Sequence, residues 1–179
     1  MRNEEIRESM IKDKVCIFQL DCGVFNEEIV KRQVIDLINK IPLEDFGKIE
    51  IYRPYTTVVK KGGIKRNFFI QFIYDNLFKV KTIYIEDMVY ATMDEVEQKI
   101  FIALMSLFGI EVYDAFEEEV VEPDPVYCGE IVKAFHENID MPECILEASD
   151  DELEEIKYMA AAILLEMWDE YRNKKMIRN

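Results

Sequence analysis

Residues 48–86 read KIEIYRPYTTVVKKGGIKRNFFIQFIYDNLFKVKTIYIE. Three runs rich in β-branched and aromatic residues, 48–61, 64–74 and 77–86, are separated by Gly62-Gly63 and Asp75-Asn76. Both dipeptides accept the positive φ of tight hairpin turns, so the pattern predicts a three-stranded antiparallel meander. Pro54 removes a backbone donor from the first run, and that strand should therefore be broken, bulged or at the edge. Phe68, Ile70, Phe72 and Tyr74 share one side of the middle strand, and Val80, Thr82 and Tyr84 one side of the next, giving a face for a helix to cover.

Upstream, residues 14–20 (KVCIFQL) read as a strand apolar enough on both faces to be central. A helix should follow, with Asn26 as N-cap, a staple between Phe25 and Val30, and Ile29, Val30, Val34, Leu37, Ile38 and Ile41 on one face until Pro42 ends it. Downstream the chain reads as helical. Thr92-x-x-Glu95 is a capping box ahead of Val96, Ile100, Ala103, Leu104 and Leu107, and Gly109 closes the run. Ser149-x-x-Glu152 is a second box, opening a long helix over about 150–174 whose stripe is Leu153, Ile156, Ala160, Ile163, Leu164, Met167 and Tyr171. Between them, Pro123 and Pro125 interrupt an acidic segment, and a short helix should span about 127–137.

The order predicts an α+β fold: an N-terminal strand and the meander packed with helices, followed by an acidic helical C-terminal half. Residues 1–108 form the expected sheet lobe and 109–179 an acidic helical lobe packed on it, as one compact unit. Half of the 179 residues are hydrophobic, enough for a core without staples. The start of the sequence has no apolar signal-like run and no apolar stretch approaches a membrane span, which predicts a cytoplasmic protein. Cys16, Cys22, Cys128 and Cys144 match neither a zinc nor a CxxC spacing and read as reduced thiols.

Charge is divided unevenly. The first 90 residues carry 15 Lys and Arg against 14 Asp and Glu, and the remaining 89 carry 7 against 23, so the halves hold +1 and −16 of the net −15. Such a surface repels nucleic acid and anionic membranes and attracts basic proteins.

No catalytic motif accompanies it. His136 is the lone histidine and cannot build a multi-histidine metal centre, and Cys128 lies too far along the same helix to form a pair with it. Lys60, Lys61, Lys65 and Arg66 surround two glycines but lack phosphate-loop spacing, so they read as a basic hairpin tip. Asp124, Glu130 and Lys133 only loosely resemble a nuclease set, because E-x-x-K falls on an expected helix. The acidic run lacks the register of an EF-hand, and neither a metal nor a cofactor is expected.

The sequence therefore predicts a non-enzymatic acidic binding protein that blocks the basic nucleic-acid-binding groove of a partner. An anti-CRISPR-type inhibitor of a Cas effector, encoded by a phage or mobile element, is the most specific form, offered by analogy of size and charge. The expected partner-binding face comprises Asp114, Glu117, Glu118, Glu119, Glu122, Asp124, Asp150, Asp151, Glu154 and Glu155. The basic hairpin would touch RNA or DNA already held by that partner. Trp168, at the rim of the long helix's stripe, is a candidate interface anchor, and the stripe can also support a homodimer. The alternatives are a carboxylate-rich metal-dependent nuclease or phosphohydrolase, and an antitoxin, immunity or assembly partner of a basic protein.

Overall fold

A computed structural model describes residues 12–18, 27–52, 63–88 and 94–177. Strand β1 (Lys14–Phe18) is followed by helix α1 (Glu27–Ile38), a 3-10 turn (Leu43–Lys48), β2 (Ile49–Tyr52), α2 (Gly63–Asn76), β3 (Val80–Ile85) and α3 (Glu95–Leu107). Then come β4 (Glu111–Asp114), β5 (Glu119–Val120), α4 (Pro125–Asn138), a 3-10 turn (Ile145–Glu147) and α5 (Asp150–Ile177). The fold is α+β overall, with one mixed five-stranded sheet in the order β2-β1-β3-β4-β5.

Strand β1 is central, as its two apolar faces predict. Val15, Cys16, Ile17 and Phe18 are all buried. It pairs in parallel with β2 on one side (Val15 with Ile49, Ile17 with Ile51) and with β3 on the other (Cys16 with Ile83, Ile17 with Tyr84). Strand β4 adds in parallel to β3, and β5 turns back antiparallel to β4. Placing β2 on one side of β1 and β3 on the other, with helical crossovers between parallel strands, is the arrangement of a doubly wound sheet.

The antiparallel meander is therefore corrected. Strands β2 and β3 are not neighbours, and the expected middle strand is helix α2. Its sequence fits both periods: Phe68, Ile70, Phe72 and Tyr74 alternate, but Phe69, Phe72, Ile73 and Asn76 stand at i, i+3, i+4 and i+7, and these four are buried while Gln71 and Asp75 are exposed. Periodicity cannot separate strand from helix in such an apolar run. Parallel pairing of β2 and β3 with β1 decides it, because parallel strands need a long crossover, usually helical. Asp75-Asn76 accordingly forms the last turn of α2, and the Lys79 N–H donates to the Asn76 carbonyl at 3.0 Å. Strand β2 lies at the sheet edge, in keeping with the argument from Pro54, although Pro54 itself lies outside the described residues.

The expected run of helices after the sheet is also interrupted, because the acidic segment supplies β4 and β5 and widens the sheet. Helix α3 is capped by Asp94, whose carboxylate accepts from the N–H groups of Val96 (2.9 Å) and Glu97 (3.3 Å); Thr92 lies outside the described residues. Gly109, at φ +70, ends the helix while its N–H donates to the Ser106 carbonyl. The side chains from Ile100 to Met105 are buried all round, since the sheet lies on one side of α3 and α4 and α5 on the other. The second capping box forms as predicted: Ser149 N–H donates to Glu152 at 2.7 Å and Glu152 N–H to the Ser149 hydroxyl at 3.3 Å.

The larger core cluster joins β1, β3 and β4 to α2, α3, α4 and α5, with Phe69 stacked on Phe101 at 4.2 Å. A smaller cluster of Val15, Ile17, Leu37, Ile41 and Tyr84 lies under α1 on the opposite face. Contacts along the outer helices fix their directions. Lys99, early in α3, faces Asp124 at the start of α4 (4.0 Å), and Phe108 meets Phe135 near the ends of both (5.7 Å). Helix α5 returns the other way, with Lys157 over the Phe78 ring (6.0 Å) and Tyr171 against Tyr127 (5.3 Å). Its N-terminus thus lies at the amino edge of the parallel strands and its C-terminus at their carboxyl edge. Among the described residues, no helix is long and apolar enough to cross a membrane.

Phe72→Ala should lower the unfolding free energy in urea by about 3–5 kcal/mol through loss of a fully buried ring. Gln71→Ala, one residue earlier on the exposed side of α2, should stay within about 0.5 kcal/mol of wild type. Equal costs at the two positions would contradict the helical register.

Candidate acidic interface

Strand β4 ends on Asp114, which is only 4% exposed. One carboxylate oxygen accepts from the N–H groups of Phe116 (2.9 Å) and Glu117 (3.1 Å), and the other from the Met88 N–H (3.1 Å). The Phe116 N–H also donates to the Glu86 carbonyl, and Ala115 N–H to the Ile85 carbonyl, both at 2.9 Å. A buried carboxylate thereby ties the exit of β3 to the β4–β5 turn. Asp114, expected on the partner-facing surface, is instead part of the support beneath it.

The turn it holds presents Phe116, Glu117, Glu118 and Glu119. Glu118 adopts φ +58, a left-handed conformation that a non-glycine residue enters at a cost of about 1 kcal/mol or more. Its carboxylate accepts from the Lys40 ammonium at the end of α1, 2.9 Å away. That hydrogen bond and its charge raise the pKa of Lys40 and lower that of Glu118. Glu117, Glu119 and Glu122 are exposed and make no ion pair among the described residues. Asp124 caps α4 by accepting from the Val126 N–H at 2.9 Å.

The remaining expected acidic residues lie elsewhere. Asp150, Asp151, Glu154 and Glu155 are exposed on the first turns of α5, where the helix dipole favours them, and Glu154 accepts from Lys157 at 2.9 Å. Because α5 runs from the amino to the carboxyl edge, some 20 residues separate this group from Tyr171, about 30 Å at the helical rise. The single acidic face expected from sequence is divided between opposite ends of the protein.

Of the expected basic hairpin tip, only the part from Gly63 onward is described, and it is helical rather than a strand. Lys60 and Lys61 lie outside the described residues, and Lys65 and Arg66 fall in the first turn of α2. His136 is exposed in the last turn of α4. The loose nuclease set is dispersed: Asp124 caps α4, Glu130 accepts from the Tyr171 hydroxyl (3.2 Å), and Lys133 pairs with Glu137 (3.7 Å). Burial, followed by the charge of Glu130, pushes the Tyr171 phenol up to about 12. Among the described residues no three His, Cys, Asp or Glu side chains are grouped to hold a metal ion.

The carboxyl edge was not apparent from sequence, because a meander has none. In open sheets with parallel strands this edge is where ligands bind. Here the described exits of β3 and β4 carry Glu86, Asp87, Asp114, Glu117 and Glu118, a lining that opposes a phosphate. Burial, then the charges of Asp36 and Asp87, raise the pKa of Glu86. Comparison with known proteins finds no matching family, no matching curated protein and no matching solved structure.

Two outcomes test this site. Asp114→Ala should cost about 2–3 kcal/mol in urea denaturation, since it strands backbone donors beside β3 and β4. Because the Glu86 pKa is raised on folding, its charge weakens the fold above the unfolded value of 4.5 and not below it. Glu86→Gln should therefore raise the melting temperature at pH 7, and the gain should vanish as pH falls below about 4.

Proposed function

We propose that this protein is a non-enzymatic acidic binding protein that occupies the basic nucleic-acid-binding groove of a partner. The observation that carries this reading is the β4–β5 hairpin, where Asp114 clamps the backbone of Phe116 and Glu117 from below and Glu117 on the turn, Glu119 in β5 and Glu122 just beyond β5 stand exposed. Carboxylates held on a fixed support lose little freedom on binding and compete with phosphates for the same Lys and Arg side chains. Phe116, 72% exposed beside them, supplies an aromatic anchor with an acidic rim, the usual composition of an interface hot spot. The second acidic group, on the first turns of α5, would extend the contact only for a partner wide enough to reach about 30 Å along the helix. A Cas effector, whose guide and target lie in a positively charged channel, is the specific partner to test first.

The test is titration of the protein into a purified effector–guide complex while target-DNA binding is measured. Wild type should displace DNA, with an association rate that falls about tenfold or more as salt rises from low to physiological and above. The triple change Glu117→Lys, Glu119→Lys and Glu122→Lys should raise the concentration for half-inhibition by at least about tenfold without changing the melting temperature by more than a few degrees. If wild type leaves DNA binding by Cas effectors and by salt-eluted basic proteins of the host unchanged, the inhibitor reading fails.

A further inference from the structure

Helix α5 is longer than the helices it packs on. Its 28 residues extend about 42 Å, whereas α2 and α3, on which it lies, have 14 and 13 residues and extend about 20 Å each. Burial along α5 continues to Met167 and is partial at Trp168 and Tyr171; beyond Tyr171, Arg172, Asn173 and Lys174 are exposed and Ile177 is 85% exposed. The Arg172 guanidinium lies 5.2 Å over the Trp168 ring and the Lys174 ammonium 5.4 Å over the Tyr171 ring, so the last partly buried aromatics hold these cations in place. With Lys175 and Arg178, four of the seven Lys and Arg residues after Tyr90 lie within this end of the sequence.

Cations at a helix C-terminus suit the dipole, but that does not account for the neighbouring surface. Tyr171 packs on Tyr127 and Glu130 at the start of α4, so the basic end of α5 emerges at the same carboxyl edge as the acidic β4–β5 turn. Two further apolar side chains are exposed on the elements of this edge, Phe116 at 72% on the turn and Val126 at 64% in the first turn of α4. One end of the protein thus bears a basic projection, an acidic turn and exposed apolar side chains.

We propose that this end joins two copies of the chain about a two-fold axis, the Arg172 and Lys174 tip of each meeting Glu117, Glu119 and Glu122 of the other. An isologous contact needs a surface that complements itself under rotation, and opposite charges on one end provide it. Phe116, Val126 and Ile177 are then covered between the copies. Charge and polarity select a second copy over a nucleic acid, because the acidic turn repels phosphates approaching the same end and three exposed apolar side chains gain nothing from a phosphate backbone. This contact does not depend on the groove-blocking reading, and it places partner binding and self-association in competition for the same turn.

Sedimentation of the full chain at low and high salt, with circular dichroism to confirm folding, tests it. Wild type should be dimeric at low salt and dissociate as salt rises. The pair Arg172→Glu and Lys174→Glu, and separately the triple Glu117→Lys, Glu119→Lys and Glu122→Lys, should each weaken the dimer by at least about tenfold. Mixing the two reversed proteins should restore a one-to-one dimer, since each acidic tip then meets a basic turn and each basic tip an acidic one. A wild type that stays monomeric at low salt, dimers that persist in both reversed proteins, or a mixture that fails to pair would overturn the proposal. A monomeric wild type that retards duplex DNA through Arg172 and Lys174 would assign the tip to nucleic acid instead.

Discussion

The rest of the fold depends on β1 being buried on both faces. Val15 and Ile17 face α1, and Cys16 and Phe18 face the aromatic layer of Phe72 and Phe101. A strand with no solvent face requires cover above and below and hydrogen-bonded neighbours on both edges. Strands β2 and β3 meet the second requirement in parallel, so the chain between them crosses the sheet as helix α2. Helices α2 and α3 then occupy one face, α1 the other, and α4 and α5 form a further layer over α2 and α3.

That arrangement sorts the carboxylates, which look alike in the sequence, into different physical roles. Asp94 and Asp124 satisfy donors at helix starts, and Asp114 satisfies donors at the turn after β4. Glu118 is held by Lys40 from across the sheet face, and Glu130 by the Tyr171 hydroxyl. Glu117 on the turn, Glu119 in β5 and Glu122 just beyond it are left exposed beside the backbone that Asp114 fixes. Buried carboxylates that accept several hydrogen bonds hold structure, whereas exposed ones on a held backbone are suited to recognition.

The two ends of the sheet differ in consequence. The amino edge carries the start of α5 with its exposed acids. The carboxyl edge carries the acidic turn, the exits of β3 and β4 and the cationic end of α5, so it bears both signs of charge. Fields from such an end act over roughly a Debye length, about 8–10 Å at physiological salt, and orient an approaching protein more than they strengthen its final contact.

Features governed by neighbours in sequence were legible from the residues alone. The central character of β1 followed from its apolar run, the start of α5 from the reciprocal Ser149 and Glu152 cap, and the α5 stripe from spacing, since each depends on chemistry within one or two turns. Helix α2 was not legible, because a run that is apolar on every side satisfies both a two-residue and a 3.6-residue period, and only the parallel pairing of β1 with both β2 and β3 separates them. The count of acidic residues and their concentration after Tyr90 were likewise properties of sequence. Which of them is buried, which caps a helix and which stands free was decided by the tertiary structure, because a carboxylate's role depends on the unpaired N–H groups and cations that distant segments bring to it.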